Sequence, residues 1–167
     1  MKRLTLVRHA KSSWKNAALS DFDRPLNGRG KRDAPRIGAY LAEQGVAPDI
    51  VLASPARRAR KTAQLLGATL PAAAGRILFD PALYEADAAL LLERVRALDE
   101  AWLHVMLVGH NPGLTDLVNL LANAGLDNLP TCGVAVIELE IVSWRQAAAG
   151  CGRVAFFAVP KALPAQE

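Results

Sequence analysis

Arg8-His9, closing the short apolar run Leu4-Thr5-Leu6-Val7, is the first pair in the chain whose side chains could do chemistry. An unprotonated imidazole is a nucleophile, and a guanidinium presents a planar fork of N–H donors that matches phosphoryl oxygens. Alone, such a pair is a weak signal, more often a solvated strand end than a site. It gains company at Ser54-Pro55, which is followed by Arg57, Arg58, Arg60 and Lys61, and again at Gly109-His110-Asn111-Pro112. Two histidines and at least two arginines brought together imply phosphoryl transfer through a histidine. Guanidinium charge keeps the imidazole neutral and takes the place that a metal ion holds in other phosphoryl-transfer sites, so no metal and no cofactor are expected.

Strand ends must do the positioning. Leu4 to Val7, Asp49 to Ala53 and Trp102 to Val108 read as buried strands, and ligand sites of parallel sheets lie at strand carboxyl ends. Each of the three delivers one polar cluster there. Between them the apolar spacing and the stop and start residues predict helices over Lys31 to Gln44, from Ser54-Pro55 to Leu66, over Ala88 to Leu98 behind an Asp87 cap, and from Pro112 to Ala124. Ser54 is read as the cap of the second of these. Arg76 to Phe79 is a weak strand, Val134 to Val142 alternates like a strand near an edge, and Arg153 to Val159 is a last strand able to pair with it. The order β, α, β, α, weak β, α, β, α, β, β is that of a three-layer α/β/α sandwich with a mostly parallel central sheet. One domain over 1–160 and a frayed tail over 161–167 are expected.

Composition narrows the field. With 167 residues, 51% apolar and 22% charged, the chain suits one well-buried unit. It shows neither a leader-like apolar segment nor a membrane-length run, which points to a cytoplasmic protein without a membrane partner. Cys132 and Cys151 are too few and too far apart for a zinc site or a disulfide framework. The net charge of +4 hides an asymmetry, because residues 1–62 hold 14 Lys and Arg against 5 Asp and Glu. Such a basic third suits a phosphorylated substrate or an acidic protein face. Nucleic acid is not expected, since only Trp14 and Phe22 interleave the basic stretch as stacking platforms.

Arg8-His9-Ala10, Ser54-Pro55-Ala56-Arg57-Arg58-Ala59 with Thr62, and Gly109-His110-Asn111-Pro112 resemble, in order, the motifs of the histidine phosphatase superfamily, with its phosphoglycerate-mutase-like fold. Arg8-His9-Ala10-Lys11-Ser12-Ser13-Trp14, the Asp-Arg-Pro-Leu around Arg24 and Gly-His-Asn-Pro are similar more narrowly to SixA-type phosphohistidine phosphatases. The resemblance implies that His9 becomes phosphorylated, that Arg8, Arg58 and His110 form the phosphate pocket, and that Asn111 lends its amide. Many members take a general acid from the segment before the third helix, where Glu85 stands; in SixA-like proteins a carboxylate there need not be present. Lys15-Asn16 stands where larger members place a phosphate-contacting Asn. The implied substrate is a phosphohistidine-bearing protein of phosphorelay type. The rivals are a phosphomonoesterase acting on a small metabolite ester and a catalytically silent basic binding module.

Overall fold

The structure, a computed structural model, describes residues 1–164. Six strands, β1 (Lys2–Arg8), β2 (Ile50–Ala53), β3 (Ile77–Phe79), β4 (His104–Gly109), β5 (Val134–Leu139) and β6 (Gly152–Ala158), form one sheet in the order β3-β2-β4-β1-β5-β6. The first four run parallel, and β5 is antiparallel to both β1 and β6. Side chains alternate between two apolar layers. Leu4, Leu6, Val105 and Leu107 face α3 (Ala88–Arg96) and α4 (Gly113–Ala122), while Val7, Met106 and Val108 face α1 (Gly28–Glu43) and α2 (Arg57–Thr69). Fully buried leucines of this kind contribute roughly 1.5–3 kcal/mol each. The expected α/β/α sandwich with a mostly parallel sheet is therefore the observed fold.

Several features refine the expectation, each for a local reason. Helix α1 starts at Gly28 because Asn27 caps it, its side chain accepting the Gly30 N–H at 2.9 Å. Helix α2 starts only at Arg57, with Ala56 at its cap position and no side-chain cap. β5 lies next to the edge, as expected, but is itself buried between β1 and β6, and the exposed alternation falls on the edge strand β6. Finally, the start of the tail is docked. Pro160–Ala162 makes a 3-10 turn against α1 and Leu163 packs on its apolar layer, whereas 165–167 lie outside the described residues. Asp87 caps α3 as expected, accepting from the Leu90 N–H. Among the described residues no helix is long and apolar enough to cross a membrane.

His104 opens β4, at the opposite end from His110, and accepts a 2.7 Å hydrogen bond from the Thr5 hydroxyl. It is buried, and burial first, then the Arg3 charge, lowers its pKa to about 4. An unfolded histidine titrates near 6.5, so between about pH 6.5 and pH 4 the unfolded chain holds a proton that folded His104 refuses. Stability is then lost as pH falls through that window. Urea unfolding followed from pH 7 to pH 4.5 is expected to show the midpoint dropping, and His104→Gln to remove about a third of the slope contributed by the three histidines. An unchanged slope in the variant would refute the assignment.

Candidate active site

Parallel register brings the two site histidines side by side. Arg8 pairs with Gly109, so the next residues, His9 and His110, leave adjacent strands at the same level, and their ring centroids lie 5.2 Å apart. Ala53 pairs with Val108, which sets Ser54 beside them. A cavity of about 260 Å³ opens here, lined by Arg8, His9, Arg58, His110 and Asn111 together with Lys11, Ser12, Trp14, Asp21, Arg24 and Thr131.

His9 is 7% exposed and its ring is held by backbone. Nδ1 lies 2.7 Å from the Ala10 carbonyl oxygen, which can only accept, so Nδ1 carries the proton and Nε2 keeps its lone pair. Burial is the main cause that pushes its pKa down to about 3, and the charges of His110, Arg58 and Arg8 add to it. Desolvation thus does most of what sequence reasoning assigned to guanidinium charge. The His9 backbone is clamped as well: its N–H donates to Gly109, and the Cys132 N–H donates to its carbonyl at 3.0 Å. Cys132 adopts φ 58 to do so, while its buried thiol has its pKa pushed up to about 12. Both cysteines are free thiols.

Ser54 is not the helix cap that its place before Pro55 suggests. Its hydroxyl accepts from the Ala56 N–H at 3.2 Å and lies 2.8 Å from His110 Nε2. Arg58 Nη2, a pure donor, stands 3.4 Å from His110 Nδ1, which must therefore accept, leaving Nε2–H to donate to Ser54. Burial, then the Arg58 charge, lowers the His110 pKa to about 4. Both imidazoles are neutral at pH 7.

Arg58 and Thr62 sit one helical turn apart on the inner face of α2, while Arg57, Arg60 and Lys61 are exposed on the outer one. Thr62 accepts from the Ala10 N–H at 2.9 Å and donates to the Arg58 carbonyl, tying the nucleophile loop to the helix. The Arg58 guanidinium donates to the Asp21 backbone carbonyl at 2.7 Å and to its carboxylate at 3.0 Å. Asp21 also accepts from the Tyr84 hydroxyl at 2.6 Å; that bond, with Arg58, holds its carboxyl below the usual range. Arg8 donates to the Leu129 carbonyl.

Two expected contacts turn out otherwise. Asn111 lines the cavity, but its amide is committed: the N–H groups donate to Asn128 and Leu129, and its oxygen accepts from Thr115. Glu85 is exposed at φ 58 and is not among the lining residues; its neighbour Tyr84 stacks edge-on to His110 instead, with centroids 5.5 Å apart. Asn16 is exposed and accepts only from the Ala18 N–H within its own turn. Asp21, Tyr84 and Thr131 carry no sign in the sequence, whereas Ser12 and Arg24 stand in the SixA-like motifs without an assigned role. The Asp21 contacts with Arg58 and Tyr84 are made across the fold, between segments tens of residues apart.

Gly30 shows how tightly the loop is set. A Cβ there would collide with the Lys11 carbonyl oxygen, the same oxygen that accepts from the Asn27 N–H. Gly30→Ala is expected to lower stability by roughly 1–3 kcal/mol in a urea titration and to weaken phosphate binding by displacing residues 9–12.

An α/β/α sheet whose strand ends hold two neutral imidazoles among arginines defines a phosphoryl-handling site, and the chain has relatives of known class. The family model of the histidine phosphatase superfamily (branch 1) matches residues 4–91. An uncharacterized Mycobacterium tuberculosis protein is 32% identical over 165 residues, 93% of this chain and 100% of the relative. A chloroplastic Arabidopsis thaliana protein is 31% identical over 159 residues, 90% of this chain and 72% of its own length. The crystal structure of an Agrobacterium tumefaciens protein regarded as the phosphohistidine phosphatase SixA superposes with a TM-score of 0.82 at 29% identity, covering 95% of this chain and 98% of that one. The chain belongs to the histidine phosphatase superfamily. Within it, it is of the SixA type, a phosphatase that acts through a histidine.

Proposed function

We propose that the protein dephosphorylates phosphohistidine on a protein, through a phosphorylated His9 and without a metal ion. The observation that carries this reading is the His9 ring, neutral and with its Nδ1 proton given to Ala10, so that Nε2 is free to attack in a cavity lined by Arg8, Arg58 and His110. In the first step the Nε2 lone pair forms a bond to phosphorus as the bond from phosphorus to the substrate imidazole breaks. The departing ring keeps that electron pair and takes a proton from water. Arg8 and Arg58 bind the equatorial oxygens beside the neutral His110 ring, which Ser54 orients. A water oxygen then bonds to phosphorus, the Nε2–P bond returns its pair to His9, and phosphate leaves with the remaining proton.

The absence of an acid from the cavity wall fits this substrate. Among the described residues Asp21 is the one carboxylate lining the cavity, and it is held ionised by Tyr84 and Arg58. An alkyl ester needs its leaving oxygen protonated, whereas an imidazole departs readily from a P–N bond. The likeness to the Agrobacterium protein regarded as SixA supports the same choice. Phosphate release from a phosphohistidine-bearing protein and from p-nitrophenyl phosphate, both with EDTA present, tests it. Release from phosphohistidine is expected to dominate; activity confined to the ester, and lost in Glu85→Gln, would move the substrate to small metabolites.

A further inference from the structure

We propose that Trp14 forms a second binding subsite at the cavity mouth, a stacking platform for a flat ring attached to the phosphoryl group, such as the imidazole of phosphohistidine. This rests on the reading that phosphorus sits against His9. Trp14 is 75% exposed, whereas Trp144 is fully buried and Trp102 half-buried. Large aromatic side chains normally bury most of their area, so an exposed one on the wall of a reactive cavity calls for a reason.

The ring is not free to swing. Its face lies on the Arg24 guanidinium, whose central carbon is 3.3 Å from the ring centroid. Arg24 is itself 7% exposed, donates to the Ser12 hydroxyl and pairs with Asp21 at 3.6 Å. Arg24 therefore fixes one face of the indole and leaves the other to solvent at the rim. Apart from the two site imidazoles, Trp14 is the one ring among the described residues that line the cavity.

In-line displacement places the leaving group opposite the nucleophile. His9 lies on the buried floor, so the group that carried the phosphate points out through the mouth, where Trp14 waits. A ring with π electrons gains there from stacking on a preoriented indole; a leaving group without one gains nothing. Trp14 would thus select what the phosphate was attached to, while Arg8, Arg58 and His110 hold the phosphate itself.

Binding of phenylphosphonate and methylphosphonate, followed by tryptophan fluorescence or by competition, tests the platform without turnover. Wild type is expected to prefer the phenyl compound by about 5- to 10-fold, Trp14→Ala and Trp14→Leu to lose that preference, and Trp14→Phe to keep most of it. No preference in wild type, or a preference that survives in Trp14→Ala or Trp14→Leu, overturns the proposal. In turnover, the ratio of kcat/KM for phosphohistidine to that for the phosphoramidate ion is expected to fall by the same factor in Trp14→Ala; an equal loss on both would reduce Trp14 to a prop for Arg24 and refute the platform. Phosphonate selectivity that depends on Trp14, with no turnover of phosphohistidine, would support the platform and remove the phosphohistidine reading instead.

Discussion

His9→Ala is expected to abolish turnover, lowering kcat by more than about 10⁴-fold, because it removes the atom that forms the bond to phosphorus. Nothing else in the cavity can take its place. His110 has its Nδ1 facing Arg58 and its Nε2 hydrogen-bonded to Ser54, so neither ring nitrogen is presented as a free lone pair. Rapid quenching of wild type with a labelled phosphohistidine protein should trap acid-labile phosphate on the chain, and none on His9→Ala. Near-normal turnover in the variant, or equal labelling, would sink the covalent route. The fold should survive the change and even gain acid tolerance. His9 has a pKa lowered to about 3, so in the window from about pH 6.5 down to pH 3 its deletion removes a proton-binding difference that favours the unfolded chain.

Arg58→Ala carries the second-largest expected loss, about 10²- to 10³-fold in kcat/KM, in the range for removing a donor aimed at developing charge. Two effects combine. The fork that would span two phosphoryl oxygens is gone, and the Asp21 carboxylate loses its partner at 3.0 Å while remaining on the cavity wall. With only Arg24 left beside it at 3.6 Å, that carboxylate repels the dianion more strongly. Arg58→Lys is expected to recover little, because an ammonium supplies charge without the planar pair of donors. Arg58→Ala combined with Asp21→Asn should recover more of the lost activity than Arg58→Lys does, if repulsion is a real part of the loss. Inhibition by tungstate provides a binding readout independent of chemistry: its inhibition constant should rise in Arg58→Ala and fall part of the way back in the double variant.

Legibility in the sequence followed the range of the interactions involved. β1, β2 and β4 were readable because burial on both faces demands short continuous apolar runs, and a run ending in a polar cluster marks its carboxyl end. Arg58 could be told from Arg57 and Arg60 by the family motif alone, and the helix supplies the physical cause, since a spacing of four puts Arg58 and Thr62 on one inward face. Ser54 was misread for the opposite reason. A serine before a proline has the local form of a helix cap, and only the neighbouring strand, by bringing His110 Nε2 to 2.8 Å, claims the hydroxyl for another task. The acidic interruptions at Glu138 and Glu140 point to a strand near an edge, and β5 indeed lies next to the edge strand β6; the pairing of Glu138 with Arg3 and Arg153 shows how a carboxylate can be held inside a sheet.

By itself the sequence determined the layers of the sandwich, the three strand ends that bear the site, and His9, Arg8, Arg58 and His110 as the residues gathered there. These follow from periodicity and from motifs whose members are close along the chain. Only the tertiary structure decided which nitrogen of each imidazole carries the proton, that burial more than charge keeps His9 neutral, that Asn111 is engaged elsewhere and Glu85 stands outside the cavity, that Asp21, Arg24 and Trp14 build its wall, and that Tyr84 holds Asp21 there. Those outcomes depend on contacts between loops tens of residues apart, where no periodic pattern exists and where a hydrogen bond's partner is set by the packing of the whole sheet.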